Sequence, residues 1–186
     1  AGGSTLYSRA AGAFDMEKSR KIAGMCVVCS LAVGVGLALL MYFGEDAYFA
    51  FYTSSAEVDA LAREYFHVYI IIAAIYPIYW SIYYLVNCDG DDGLVLAVDA
   101  ISALGNAAGS LIFVTFMGVK GLAVGTVVSL IVSAIPLVIH FFKPSNSIHF
   151  KLWFSFDTFK QMFALGSTTS LGSLYLGVVD ILMNKI

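Results

Sequence analysis

The stretch IAGMCVVCSLAVGVGLALLMYF, at 22–43, carries no charged residue, and its reading decides the fold class. The hydrocarbon core of a bilayer is about 30 Å thick, so a spanning helix needs about 20 mostly apolar residues. An open strand or irregular chain would leave backbone N–H and C=O groups unpaired in lipid, so such a run must be helical. Four further apolar runs follow. They lie at 65–86, broken by Pro77; at 93–117, carrying Asp99 and Asn106; at 121–142, with Pro136 and His140; and at 159–184, with Asp180. The short alternating segments of a transmembrane β-barrel are absent.

The composition agrees. Of the 186 residues 60% are hydrophobic and 12% charged, with mean hydropathy +0.85. An ordinary soluble domain has about 45–50% apolar and about 25% charged residues. A disordered tail, a collagen and a disulfide scaffold are excluded, and a soluble enzyme is disfavoured. The predicted fold class is an all-α, polytopic transmembrane bundle with five complete spans and the end of another at 2–6. A net charge of -3 offers nucleic acid no attraction. Cys26 and Cys29 have the C-x-x-C spacing of redox and zinc sites. They sit in an apolar run without nearby His or Cys, so they read as small buried helix residues, and no metal site is predicted.

Loops alternate sides once the spans are set. One side carries Arg9, Lys18, Arg20, Lys21, Lys143, Lys151 and Lys160; the other carries Arg63, Lys120 and Lys185. The positive-inside rule places the first side in the cytoplasm of a multi-pass plasma (inner) membrane protein. The loop at 44–61, with Glu45, Asp46, Glu57 and Asp59, then faces outward. Asp89, Asp91 and Asp92 strain the rule, because they fall in a cytoplasmic turn.

At 100° per residue the second span divides into two faces. Tyr65, Tyr69, Ile72, Tyr76, Tyr79, Trp80, Tyr83 and Asn87 lie on one; Ile70, Ile71, Ala74, Ile78, Ile82 and Leu85 lie on the other, which suits lipid. An aromatic face serves either helix packing or a cavity that holds an organic cation, at roughly 0.5–2 kcal/mol per contact. Tyr76 and Trp80 lie too centrally for an interfacial belt. The third span carries the polar stripe Asp99, Ser102, Asn106, Ser110. The fifth carries Gly166, Thr169, Ser170, Ser173, Gly177, Asp180 and Asn184. Polar stripes in membrane helices face the bundle or a water-filled cavity, and a carboxylate there costs about 2.5–3.5 kcal/mol or more. Asp99 and Asp180 read either as structural or interfacial carboxylates or as sites that trade a proton for a cation. Gly105/Gly109 and Gly121/Gly125 permit close helix approach.

Four segments add a resemblance. They are GGSTLYSRAAGAFDMEKSRK at 2–21, NCDGDDGLVL at 87–96, GVKGLAVGTVVS at 118–129 and FKQMFALGSTTSLGSLYLGVVDILMNK at 159–185. In order and spacing they resemble the multidrug and toxic compound extrusion (MATE) family, from the end of helix two through helix seven. The resemblance implies a twelve-helix antiporter of two six-helix lobes that exports organic cations in exchange for H⁺ or Na⁺. It implies no cofactor beyond that coupling ion. Residues 1–142 would be part of the first lobe, 143–158 the cytoplasmic inter-lobe loop and 159–186 the first helix of the second lobe. The remaining helices of the full-length transporter and the lipid bilayer are the implied partners.

Asp180, Asp99 and Asn106 are the ion-coupling candidates, with Asp180 given the larger role. Tyr76, Trp80, Tyr83, Ser173 and Asn184 are the substrate-cavity candidates. The chain departs from the family at Ser110, where an Asp is frequent, and at Leu176, where some branches carry Glu. The coupling ion is therefore open. Two alternatives stand beside the antiporter. One is a lipid-linked sugar flippase, disfavoured because no Lys or Arg lies inside the spans. The other is a non-transporting truncated fragment.

Overall fold

Short polar side chains mark where the helices begin. The computed structural model describes residues 2–52, 55–144 and 146–183, with the side chains at 51–52, 168–170, 173–174 and 176–183 outside the description. The helices are α1 Gly2–Gly12, α2 Met16–Tyr52, α3 Ala56–Cys88, α4 Asp92–Met117, α5 Val119–His140 and α6 Phe156–Met183. Among the described residues there is no strand. Asp15 accepts from Lys18 N at 3.0 Å, ahead of α2. Ser55 caps α3 by accepting from Val58 N at 3.4 Å, and Asp91 caps α4 by accepting from Leu94 N at 3.2 Å. Each satisfies an N–H that a helix start leaves without an intrahelical partner.

Four helices are long and apolar enough to cross a membrane: 16–50, 56–88, 92–117 and 119–140. The expected fifth span coincides with α6, 28 residues long, part of which lies outside the described side chains. The fold class is the predicted one. Its boundaries differ in places. The expected loop at 44–61 is largely helix: Glu45 and Asp46 belong to α2, Glu57 and Asp59 to α3. Arg63 pairs with three of these acids, Glu45, Asp46 and Asp59, which offsets part of their mutual repulsion. At 37 residues α2 is about 55 Å long, far more than a bilayer core requires. The helix end expected at 2–6 runs on to Gly12.

The chain forms two compact units, 1–28 with 148–186, and 29–147, the division falling inside α2. In the first unit α1 packs on α6, and Gly2 lies against the Met162 carbonyl with no room for a Cβ. In the second, α5 packs against both α3 and α4. The α4–α5 contact is made through small residues. A Cβ on Gly109 would stand 3.2 Å from Gly125 Cα, and one on Gly125 would press on the Gly109–Ser110 backbone. Two helices in lipid gain little from hydrophobicity, so close backbone approach supplies their van der Waals contact. Gly118 turns the chain between them at φ 60°, where a side chain would be strained.

The aliphatic side of α3 is less simple than its periodicity predicts. Leu85, expected to face lipid, is 1% exposed. Ile78 and Ile82 line an apolar cavity of about 420 Å³ against Leu130, Ile131 and Ala134 of α5. A helix with neighbours on two sides buries more than one stripe.

Candidate functional site

Toward its C-terminal half the aromatic face of α3 gathers Tyr76, Tyr79, Trp80 and Tyr83 into one ring cluster. Trp80 is its hub, with ring centroids 5.0 Å from Tyr83, 5.7 Å from Tyr79 and 6.0 Å from Tyr76, all edge to face. Edge-to-face contact sets the positive rim of one ring on the negative face of the next, worth about 0.5–1.5 kcal/mol beyond burial. Tyr79 and Tyr83 are buried; Tyr76 is 41% exposed. The two buried phenols each reach a different helix. Ser133 Oγ donates to the Leu130 carbonyl at 3.1 Å, so the Tyr79 hydroxyl, 3.0 Å away, donates to Ser133 Oγ. The Tyr83 hydroxyl donates to Asp99 Oδ2 at 2.8 Å, tying α3 to α4.

Two turns further along α4, Asn106 donates from Nδ2 to Thr126 Oγ1 of α5 at 2.9 Å. Thr126 Oγ1 donates to the Leu122 carbonyl at 3.2 Å, and Ser110 Oγ donates to that same carbonyl at 3.4 Å. This cluster is polar but contains no group that titrates near neutral pH. The carboxylate of the α4 stripe is Asp99.

A third cluster sits where α5 ends. His140 is 2% exposed, with Nε2 2.8 Å from Asp89 Oδ2 and Nδ1 3.3 Å from Asp91 Oδ2. Ionised carboxylate oxygens only accept, so both contacts are hydrogen bonds at once only when the ring carries both protons. Lys143 Nζ lies 2.7 Å from Asp91 Oδ2, and Ser147 bonds Asp89 through its hydroxyl and its N–H. The Lys143 ammonium holds the Asp91 carboxyl below the usual carboxylate range; partial desolvation opposes this, while the Leu94 N–H and His140 reinforce it. The acidic turn that strained the positive-inside rule thus carries its counter-charges locally.

A fourth cluster joins α2 to α3. Arg63 reaches Glu45, Asp46 and Asp59, each at 3.0 Å, and its guanidinium lies 4.6 Å from the Phe49 ring. His67 Nε2 is 2.9 Å from Glu45 Oε2.

These observations call for a multi-pass helical membrane protein whose α3, α4 and α5 are tied by polar side chains, and a comparison with family models names it. The MatE model matches residues 1–112. The chain belongs to the MatE family. Solved structures carry the same fold. The chain aligns over 100% of its length with 43% of a crystal structure of MATE in the bent conformation, at TM-score 0.87 and 24% identity. It aligns over 95% with 42% of an inward-facing multidrug resistance MATE family transporter of the MOP superfamily, at TM-score 0.88 and 24% identity. It also aligns over 99% with 42% of a MOP superfamily transporter from Pyrococcus furiosus Vc1 (DSM3638), at TM-score 0.86 and 23% identity. No curated protein matches. The chain spans about 43% of the length of such a transporter.

Within this MatE-family chain, Tyr76, Trp80, Tyr83 and Asp99 come together, and Asn106 stands apart with Thr126. Ser173 and Asp180 lie on α6 with side chains outside the description, and Asn184 lies outside the described residues. Sequence reasoning missed Thr126, Ser133 and the His140 cluster. Its available signal was a His and a Lys three residues apart at a helix C-terminus, facing an acidic turn one hairpin away.

Proposed function

We propose that the chain is part of a cation-coupled secondary antiporter that exports organic cations, with H⁺ or Na⁺ as the coupling ion. The observation that carries this reading is the Tyr83–Asp99 hydrogen bond at the end of the Trp80 ring cluster. Rings attract a cation through their faces, and a carboxylate beside them supplies the charge that a proton, Na⁺ or drug cation would compete for. Exchange follows from that competition: a proton on Asp99 removes the negative charge that retains the drug cation. In this reading Asp99 and Asp180 exchange the coupling ion, Asn106 supports it, and Tyr76, Trp80, Tyr83, Ser173 and Asn184 line the cavity. The N-terminal segment and the 143–158 loop are cytoplasmic, and the membrane is the plasma membrane.

The test is ethidium efflux from cells expressing a full-length MatE-family transporter in which these 186 residues replace the corresponding part. Efflux is expected, with Asp99→Asn and Asp180→Asn each flattening its dependence on external pH or Na⁺. Efflux whose ion dependence survives both substitutions would overturn the assignment.

A further inference from the structure

In the first unit the segment 148–155 runs as an extended strap against the start of α2. Lys151 N donates to the Arg20 carbonyl at 3.0 Å, and Lys151 Nζ lies 2.7 Å from Glu17. Gly24 packs on the Lys151 backbone so closely that a Cβ there would collide with the Lys151 carbonyl. The strap is therefore held at the level of 17–24. That is where α2 changes from the charged run Glu17, Lys18, Arg20, Lys21 to the uncharged run beginning at Ile22. In a spanning helix this change marks the boundary between headgroups and acyl chains.

With its backbone pinned, the strap presents large apolar side chains outward: Leu152 is 84% exposed, and Phe154 and Phe156 are each 61% exposed. Cations stand among them. Lys21 Nζ lies 5.4 Å from the Trp153 ring centre and Lys160 Nζ 4.7 Å from that of Phe156. The stretches 15–21 and 148–160 together carry Lys18, Arg20, Lys21, Lys151 and Lys160 against Asp15, Glu17 and Asp157, a positive excess. Aromatic rings beside long cationic stems are the composition of a membrane interface, where rings sit at headgroup depth and ammonium groups reach phosphate.

We propose that the strap at 148–155 and the first turn of α6 form an interfacial anchor that binds anionic lipid. Leu152, Phe154 and Phe156 enter the upper acyl region, and Lys18, Lys151 and Lys160 take the headgroup phosphates. A second protein segment would cover the rings without using the cations, whereas an anionic bilayer surface uses both.

The chain has two tryptophans, so Trp153 can be read as the difference between wild type and Trp153→Phe. Both are placed in nanodiscs of mixed phosphatidylcholine and phosphatidylglycerol, with either lipid brominated high on its chains. The Trp153 emission is expected to be quenched about two- to fivefold more when phosphatidylglycerol carries the bromine. The surface variant Lys18→Gln/Lys151→Gln/Lys160→Gln is expected to erase that preference while keeping full quenching when both lipids are brominated. Trp153 emission untouched by either brominated lipid would mean that protein covers the strap. Equal quenching by the two would mean that its depth is right but anionic recognition is absent. Either result overturns the proposal.

Discussion

Two charge clusters close opposite ends of the helices in the 29–147 unit, and they are built on opposite terms. In the Arg63 cluster one guanidinium meets three carboxylates. Yet the Arg63 side chain is 31% exposed and that of Asp46 is 95% exposed, so water competes for each pair. In the His140 cluster the side chains of His140 and Asp89 are 2% and 4% exposed. Exposed pairs contribute little however many are counted. A buried charge that loses its partner carries the whole cost of desolvation. Burial ranks the two.

The largest expected effect is at His140. His140→Ala leaves Asp89 buried with only the Ser147 hydroxyl and N–H bonded to it among the contacts described above, and is expected to destabilise the unit by about 3–5 kcal/mol. Thermal unfolding in detergent reads this as a markedly lower Tm. A shift no larger than that of Arg63→Gln would break the ranking. Asp91 gives the next effect, and its sign follows from its lowered pKa. The folded protein holds Asp91 ionised to lower pH than its ordinary value of 3.8, so its stabilisation is present above that value and is lost as acid protonates it. Asp91→Asn is therefore expected to lower Tm at neutral pH and to match wild type in strong acid, below both values. A difference that persists there would assign the effect to packing. Arg63→Gln is expected to give a smaller loss that fades in about 1 M NaCl, where the Debye length is about 3 Å. Asp46→Ala is expected to leave Tm unchanged, and a clear drop would show that this end is less wet than its exposure indicates.

Long apolar runs were the legible part of the fold, because lipid allows them one structure. The helix extensions through 44–52 and 56–61 were not legible, since their acids read as loop residues and the pairing of Arg63 with acids from two helices is a tertiary contact. The site divides in the same way. Helical periodicity places Tyr76, Trp80 and Tyr83 on one face of α3, and the ring cluster follows from local spacing. That Tyr83 reaches Asp99, Asn106 reaches Thr126 and Tyr79 reaches Ser133 depends on how α3, α4 and α5 pack. A single sequence carries no direct signal of that packing beyond Gly109 and Gly125.

The central claim is ion-coupled transport through the Tyr83–Asp99 face. It is tested most directly in proteoliposomes containing the full-length chimaera, with ethidium movement followed after imposing a proton or Na⁺ gradient. Gradient-driven movement is expected, with its dependence on the imposed ion flattened in Asp99→Asn. Movement that needs no gradient, or that follows it equally in wild type and Asp99→Asn, would contradict the account.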